Sequence, residues 1–129
     1  MEKRIRVSTG SSWEPIVGYS RAIRIGNRVE VAGTTAIDGE RVLGGDDPYQ
    51  QTIHALSIIK TSLEKVGAQL SDVVRTRMFV TDISRWEEIG KAHGEFFKDI
   101  RPVATMVEVR ALIDPRLIIE IEAEAIISE

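Results

Sequence analysis

The chain has 129 residues, 43% of them apolar and 29% charged, enough for one domain with a real core and too ordered in composition for a disordered segment. Net charge is −3 with no basic block, which argues against a nucleic-acid partner; the absence of cysteine excludes disulfides, thiolate nucleophiles and cysteine metal sites, and fits a cytoplasmic location. Met1 to Arg4 carry no apolar leader, and no run of about 18 apolar residues marks a membrane span.

Arg4 to Ser8 alternates as a short edge strand, which Thr9-Gly10-Ser11-Ser12 ends. Trp13 to Gly18, with Pro15 inside, reads as loop. Ser20–Ile25 and Arg28–Ala32 are alternating runs joined by Gly26-Asn27, a hairpin signal. Gly33 to Glu40 leaves the sheet, and Gly44-Gly45-Asp46-Asp47 connects to a helix.

Asp47 is placed to cap that helix, with Pro48 at its first position. Tyr49, Ile53, Leu56, Ile59, Leu63 and Val66 form its apolar stripe, and Gly67 follows as the C-terminal stop. Val73 to Thr81 is a fourth strand, with Val74, Thr76, Met78 and Val80 on one face and Arg75, Arg77 and Phe79 on the other. Ser84 with Glu87 forms a capping box for a second helix, whose stripe is Trp86, Ile89, His93, Phe96 and Phe97.

Two strands follow Pro102. In the first, Ala104, Met106, Glu108 and Arg110 share one face and Thr105, Val107 and Val109 the other. In the second, Ile119, Ile121, Ala123 and Ala125 oppose Glu120, Glu122 and Glu124. The order β-β-β-α-β-α-β-β gives a two-layer α+β domain over residues 1–129, its sheet backed by two helices. If the last two strands pair, the uncovered face carries Arg75, Arg77, Phe79, Met106, Glu108, Arg110 and the three glutamates. Such a face is either solvated or packed against further copies, and Arg, Met and Phe there point to a closed homo-oligomer.

These residues resemble the YjgF/RidA (Rid) family. The resemblance rests on Gly18-Tyr19-Ser20, Gly26-Asn27 with Ala32-Gly33, Val80-Thr81-Asp82, Glu95-Phe96-Phe97, Arg101-Pro102, Val107-Glu108-Val109 and Ile119-Glu120-Ile121-Glu122-Ala123. It implies a chorismate-mutase-like fold and a homotrimer with a central barrel and a small-molecule cleft at each subunit boundary. The implied activity is hydrolysis of reactive enamines and imines, with no metal or organic cofactor. An arginine on the first of the final strands would hold the substrate carboxylate, a glutamate on the last strand would position water, and an early tyrosine would line the cleft.

Carried onto this chain, the glutamate is Glu120 and the tyrosine Tyr19. The arginine position holds Ala104. Ala32, before Gly33, replaces a frequent serine, Gly90 an asparagine and Met106 a frequent cysteine. The clamp is therefore absent at its expected place, and alanine supplies no cation. Arg110, Arg77 and Arg101 are candidate substitutes, with ion pairing to Glu108, Glu122 or Glu124 as the alternative for each. Glu120 is either a base or an ion-pair partner, and Tyr19 either lines a cleft or packs. His93 reads as a packed histidine, His54 as a helix-surface one, and neither has metal-ligand spacing. Three functions remain in play: imine hydrolysis on an altered substrate, ligand binding without catalysis, and the ribonuclease or translation-inhibitor role tied to the family, which the acidic balance disfavours.

Overall fold

A computed structural model describes residues 3–128; Met1, Glu2 and Glu129, the ends of the expected domain and leader-free start, lie outside the described residues. Elements run β1 (Arg4–Val7), α1 (Trp13–Val17), β2 (Ala22–Ile25), β3 (Arg28–Thr34), β4 (Ile37–Asp38), β5 (Arg41–Val42), α2 (Pro48–Glu64), β6 (Val73–Val80), α3 (Trp86–Phe97), β7 (Val103–Glu108) and β8 (Ile119–Ile126). Six strands form one sheet in the order β1-β2-β3-β8-β6-β7, and β4 with β5 makes a separate two-residue-per-strand hairpin.

The alternation of β8 makes it central. Ile119, Ile121, Ala123 and Ala125 are all sealed in the core, beneath α2. Asp47 accepts a hydrogen bond from the Gln50 amide (3.2 Å) and caps α2 as expected. At the other end Ala68 N–H reaches Leu63 C=O (2.9 Å) and Gly67 N–H reaches Glu64 C=O (3.1 Å). That pattern needs the left-handed φ of +84° at Gly67, which glycine adopts without steric penalty.

Four expectations are corrected. Trp13–Val17 is a helical turn rather than a loop. Glu14 folds back beneath it and accepts from Ser8 Oγ (2.8 Å) and Thr9 Oγ1 (2.7 Å), while Gly18 closes the turn onto Glu14 C=O. Second, the Ser84–Glu87 box does not form: Asp82 caps the short 3-10 turn Ile83–Arg85 ahead of α3, accepting from Ser84 N–H (3.0 Å), and α3 itself starts after Arg85 without a side-chain cap. Third, β7 and β8 do not pair. β6 lies between them, antiparallel to β8 and parallel to β7, with α3 as the crossover that a parallel pair requires. The pairing sets Arg77 opposite Glu122 and Arg75 opposite Glu124, matching charges that β7 cannot offer.

Fourth, β7 presents the other face to the one expected. Val103, Thr105 and Val107 lie beside Arg75, Arg77 and Phe79 on the uncovered face. Ala104, Met106 and Glu108 lie on the helix side: Met106 packs against the core, and Glu108 accepts from the Ile83 amide (3.0 Å). Both faces of this edge strand are largely apolar, so alternation alone does not say which turns inward. Register with Thr76 and Met78 of β6 decides it.

Candidate functional site

The uncovered sheet face is a ladder of charges. Glu124 meets Arg28 (3.0 Å), Arg77 (3.0 Å) and Arg75 (3.7 Å), and Glu122 meets Arg77 (3.7 Å). For Arg77 and for these two glutamates the ion-pair alternative is the one the structure contains. Glu120, third in the same row, makes no hydrogen bond or ion pair among the described residues. It sits half-buried beside Phe79 of β6. Burial pushes its pKa up, the nearby positive charge of Arg21 opposes the shift, and Glu122 adds to it.

The floor beneath Glu120 is a β-bulge. Val31 pairs with Ala123 and Thr34 with Ile121, so β3 spends three residues where β8 spends two. Gly33 lies in the bulge, and the Glu120 side chain folds over its bare Cα. A methyl at Gly33 would sit 2.9 Å from Glu120 Cδ and overlap Oε2. The obstacle is the far end of a flexible side chain, so Gly33→Ala is expected to keep the fold and displace the carboxylate. An unchanged melting temperature with a loss of about tenfold or more in the Glu120-dependent rate would be the signature; equal rates would show the carboxylate needs no such seat.

Arg21 organises the other side. Its Nη1 donates to Gly33 C=O (2.7 Å) and to Thr34 Oγ1 (2.9 Å), and Thr34 Oγ1 in turn donates to Ala32 C=O (2.7 Å). The guanidinium lies over the Tyr19 ring, 5.5 Å from its centroid, in cation–π range. Tyr19, Ala32, Gly33 and Glu120, singled out by sequence, thus converge around an arginine that sequence reading passed over. Its signal was its place two residues after Tyr19, just ahead of β2.

The remaining candidates lie apart from this cluster. Gly90 is on α3, where an added Cβ would meet only Trp86, at 3.9 Å. Ala104 is exposed on edge strand β7, beside Thr76, and Met106 is in the core layer. Arg110 is exposed beyond the end of β7. Arg101, at φ +55°, donates to Lys98 C=O (3.1 Å) and finishes α3. His93 Nε2 is 2.9 Å from Thr76 Oγ1, and burial lowers its pKa. His54 is partly buried on α2. Among the described residues no cluster of His, Asp and Glu is arranged to hold a metal ion.

Next to the cluster runs an open groove of about 840 Å³, bounded by α1 and by Tyr19, Ile23, Glu30 and Ala32. Tyr19 and Ala32 belong to both groove and cluster; Glu120 and Arg21 are not among the residues that line the groove.

The family described as endoribonuclease L-PSP matches residues 9–127. A crystal structure of a member of the YjgF/YER057c/UK114 family from Mycobacterium tuberculosis is 54% identical, superposes with a TM-score of 0.89, and is covered over 100% of its length by 97% of this chain. An uncharacterized protein of Streptomyces coelicolor is 39% identical over 120 residues, 93% of this chain and 90% of that one. A RutC family protein of Pyrococcus abyssi is 37% identical over 123 residues, 92% of this chain and 94% of that one. No helix among the described residues is long and apolar enough to cross a membrane.

Proposed function

The chain belongs to the endoribonuclease L-PSP (YjgF/RidA) family, and on that footing we propose that it hydrolyses small imines or enamines at a cleft built around Glu120. The observation that carries this reading is the state of Glu120. Glu122 and Glu124 are paired to arginines, whereas Glu120 has no cation in contact among the described residues and its pKa is raised by burial. A carboxylate kept unpaired in a partly dry setting is a stronger base than a salt-bridged one.

The reaction needs little else. Glu120 takes a proton from water as the water oxygen bonds to the imine carbon. That proton passes to nitrogen to give a carbinolamine; the hydroxyl proton then follows to nitrogen as the C–N bond breaks, so that ammonia leaves and a carbonyl product remains. Imine plus water gives ketone plus ammonia, with no electron transfer and no group that must be supplied by a cofactor.

The same proposal includes a closed homotrimer. Support comes from surface left uncovered in one protomer. Val103, Val107 and Ile113 flank the β7 edge, Trp13, Ile16 and Val17 line α1, and Ile16 is 78% exposed. Large apolar side chains gathered at two separate edges favour a head-to-tail contact that closes on itself. In that arrangement the β7 edge of a neighbouring copy, with Ala104, would wall the Glu120 cluster.

An RNA substrate fits poorly. Glu30, Glu120, Glu122 and Glu124 share the face where its phosphates would lie. The test generates imines in place by enzymatic oxidation of several amino acids, charged and neutral, and follows their decay. Faster decay than in buffer is expected for at least one; no acceleration for any would overturn the proposal.

A further inference from the structure

α1 is turned inside out. Its apolar side chains, Trp13, Ile16 and Val17, are exposed, and the residue it buries is an acid, Glu14, 4% exposed. A glutamate is rarely buried without a cation in contact, because its charge loses water. Among the described residues Glu14 has no ion pair. Hydroxyl and amide donors hold its carboxylate instead. Ser8 Oγ (2.8 Å) and Thr9 N–H (3.3 Å) donate to Oε1, and Thr9 Oγ1 (2.7 Å) donates to Oε2. Burial would raise the pKa, but these donors, with the charge of Arg21, hold it below the ordinary value, so the ionised form is the one held at the end of β1.

The backbone of the same residue holds the other end of the segment. Glu14 C=O accepts from Gly18 N–H (2.8 Å) and from Tyr19 N–H (3.0 Å). Gly18 reverses the chain there at φ +88°, in the left-handed region that glycine enters freely. Two residues after Tyr19, Arg21 N–H returns to Val7 C=O (2.8 Å), next to Ser8. Glu14 thus joins Ser8 and Thr9 through its side chain to Tyr19 through its backbone. The alternatives are weaker. A five-residue helix does not stand in water on its own hydrogen bonds. The contact of the Tyr19 ring with Arg21 is a cation–π contact at a partly exposed ring, and charge-assisted hydrogen bonds to a buried carboxylate outweigh it.

We infer that Glu14 is a positioning residue: its two-ended hold sets Tyr19 over Arg21, and with it the surface that Tyr19 gives to both cluster and groove. Glu14 acts through Tyr19 and touches no reacting atom. For its effect on turnover this rests on the hydrolytic reading above; the placement of Tyr19 is testable without it.

The chain has two tyrosines, and Tyr49 lies away from this segment, on α2 and bonded to Glu95. Ring-labelled tyrosine therefore gives one reporting NMR signal and one control. Glu14→Gln is expected to shift the Tyr19 ring signal and leave that of Tyr49 in place. Ser8→Ala with Thr9→Val, which removes both hydroxyl donors, is expected to move Tyr19 the same way by less. In turnover, Glu14→Gln is expected to lower kcat/KM about tenfold or more. In a Tyr19→Ala background the same change is expected to add no further loss, since a residue that acts through Tyr19 has nothing left to place. A Tyr19 signal that stays put in both variants overturns the inference. If Glu14→Gln does not fold, the Ser8 and Thr9 pair, both exposed, decides it. A wild-type rate in Glu14→Gln, or losses that add in the Tyr19→Ala background, overturn it as well. A shifted Tyr19 in a protein that hydrolyses no imine would leave this role standing and remove the catalytic reading.

Discussion

Replacing Glu120 with glutamine is expected to lower imine hydrolysis by on the order of 10²–10⁴-fold while the fold persists. Glutamine keeps the shape that lies over Gly33 and loses the basic oxygen. Because burial raises the Glu120 pKa, the wild-type rate is expected to climb with pH through a midpoint above 4.5, the ordinary value for a free glutamate. Glu120→Gln removes that limb. Stability moves the opposite way. A carboxyl whose folded pKa is raised favours the native state below 4.5 and loses that contribution as pH rises through the folded value. At pH 7 the wild type therefore carries an uncompensated, partly buried charge that glutamine does not. Melting curves are expected to show Glu120→Gln more stable at pH 7, with the gap closing as pH falls to 4.5. A variant as active as wild type, or one less stable at pH 7, would show that Glu120 is structural.

The largest stability effect is expected at Phe97→Ala, a loss of about 3–5 kcal/mol from a domain whose total is on the order of 5–15 kcal/mol. Phe97 is 2% exposed, with its ring 4.7 Å from that of His93 and 6.5 Å from that of Phe96. Removing it opens a cavity where α3 turns back toward β7, and the surrounding strands cannot collapse into it. Thermal unfolding is expected to fall by roughly 10–25 °C. A second readout is specific to the cavity. Burial lowers the His93 pKa, so its stabilising effect is present above 6.5 and fades as pH falls through the folded value. Water admitted beside the ring is expected to return the His93 titration toward 6.5. A small loss with an unmoved histidine would mean Phe97 is not what anchors α3.

The reach of sequence reading divides at pairing. The stripe of α2, its Asp47 cap, the Gly67 stop and the alternation of β8 were all legible, because each depends on residues a few positions apart. The short helix α1 was missed because what holds Trp13–Val17 is Glu14 bonding to Ser8 and Thr9, a tertiary fold-back with no periodic trace. The Ser84–Glu87 box failed because Ser84 lies inside a short 3-10 turn, Ile83–Arg85, that Asp82 caps, and α3 begins only at Trp86. Glu120 was legible as a candidate by family likeness, but that Arg77 bonds Glu122 and Glu124 and not Glu120 within one protomer appeared only with the strands in register.

By itself the sequence determined the two long helices, the six strands of the main sheet, the two-layer class and the family, since period two, period 3.6 and short motifs are local properties that survive without coordinates. Tertiary structure alone decided that β6 separates β7 from β8, that Met106 turns inward, and that Arg21 and Glu120 stand across one glycine. The physical reason is that a strand's alternation names two faces but neither its neighbour nor its inward side. Which charge meets which is settled only when distant segments come into register.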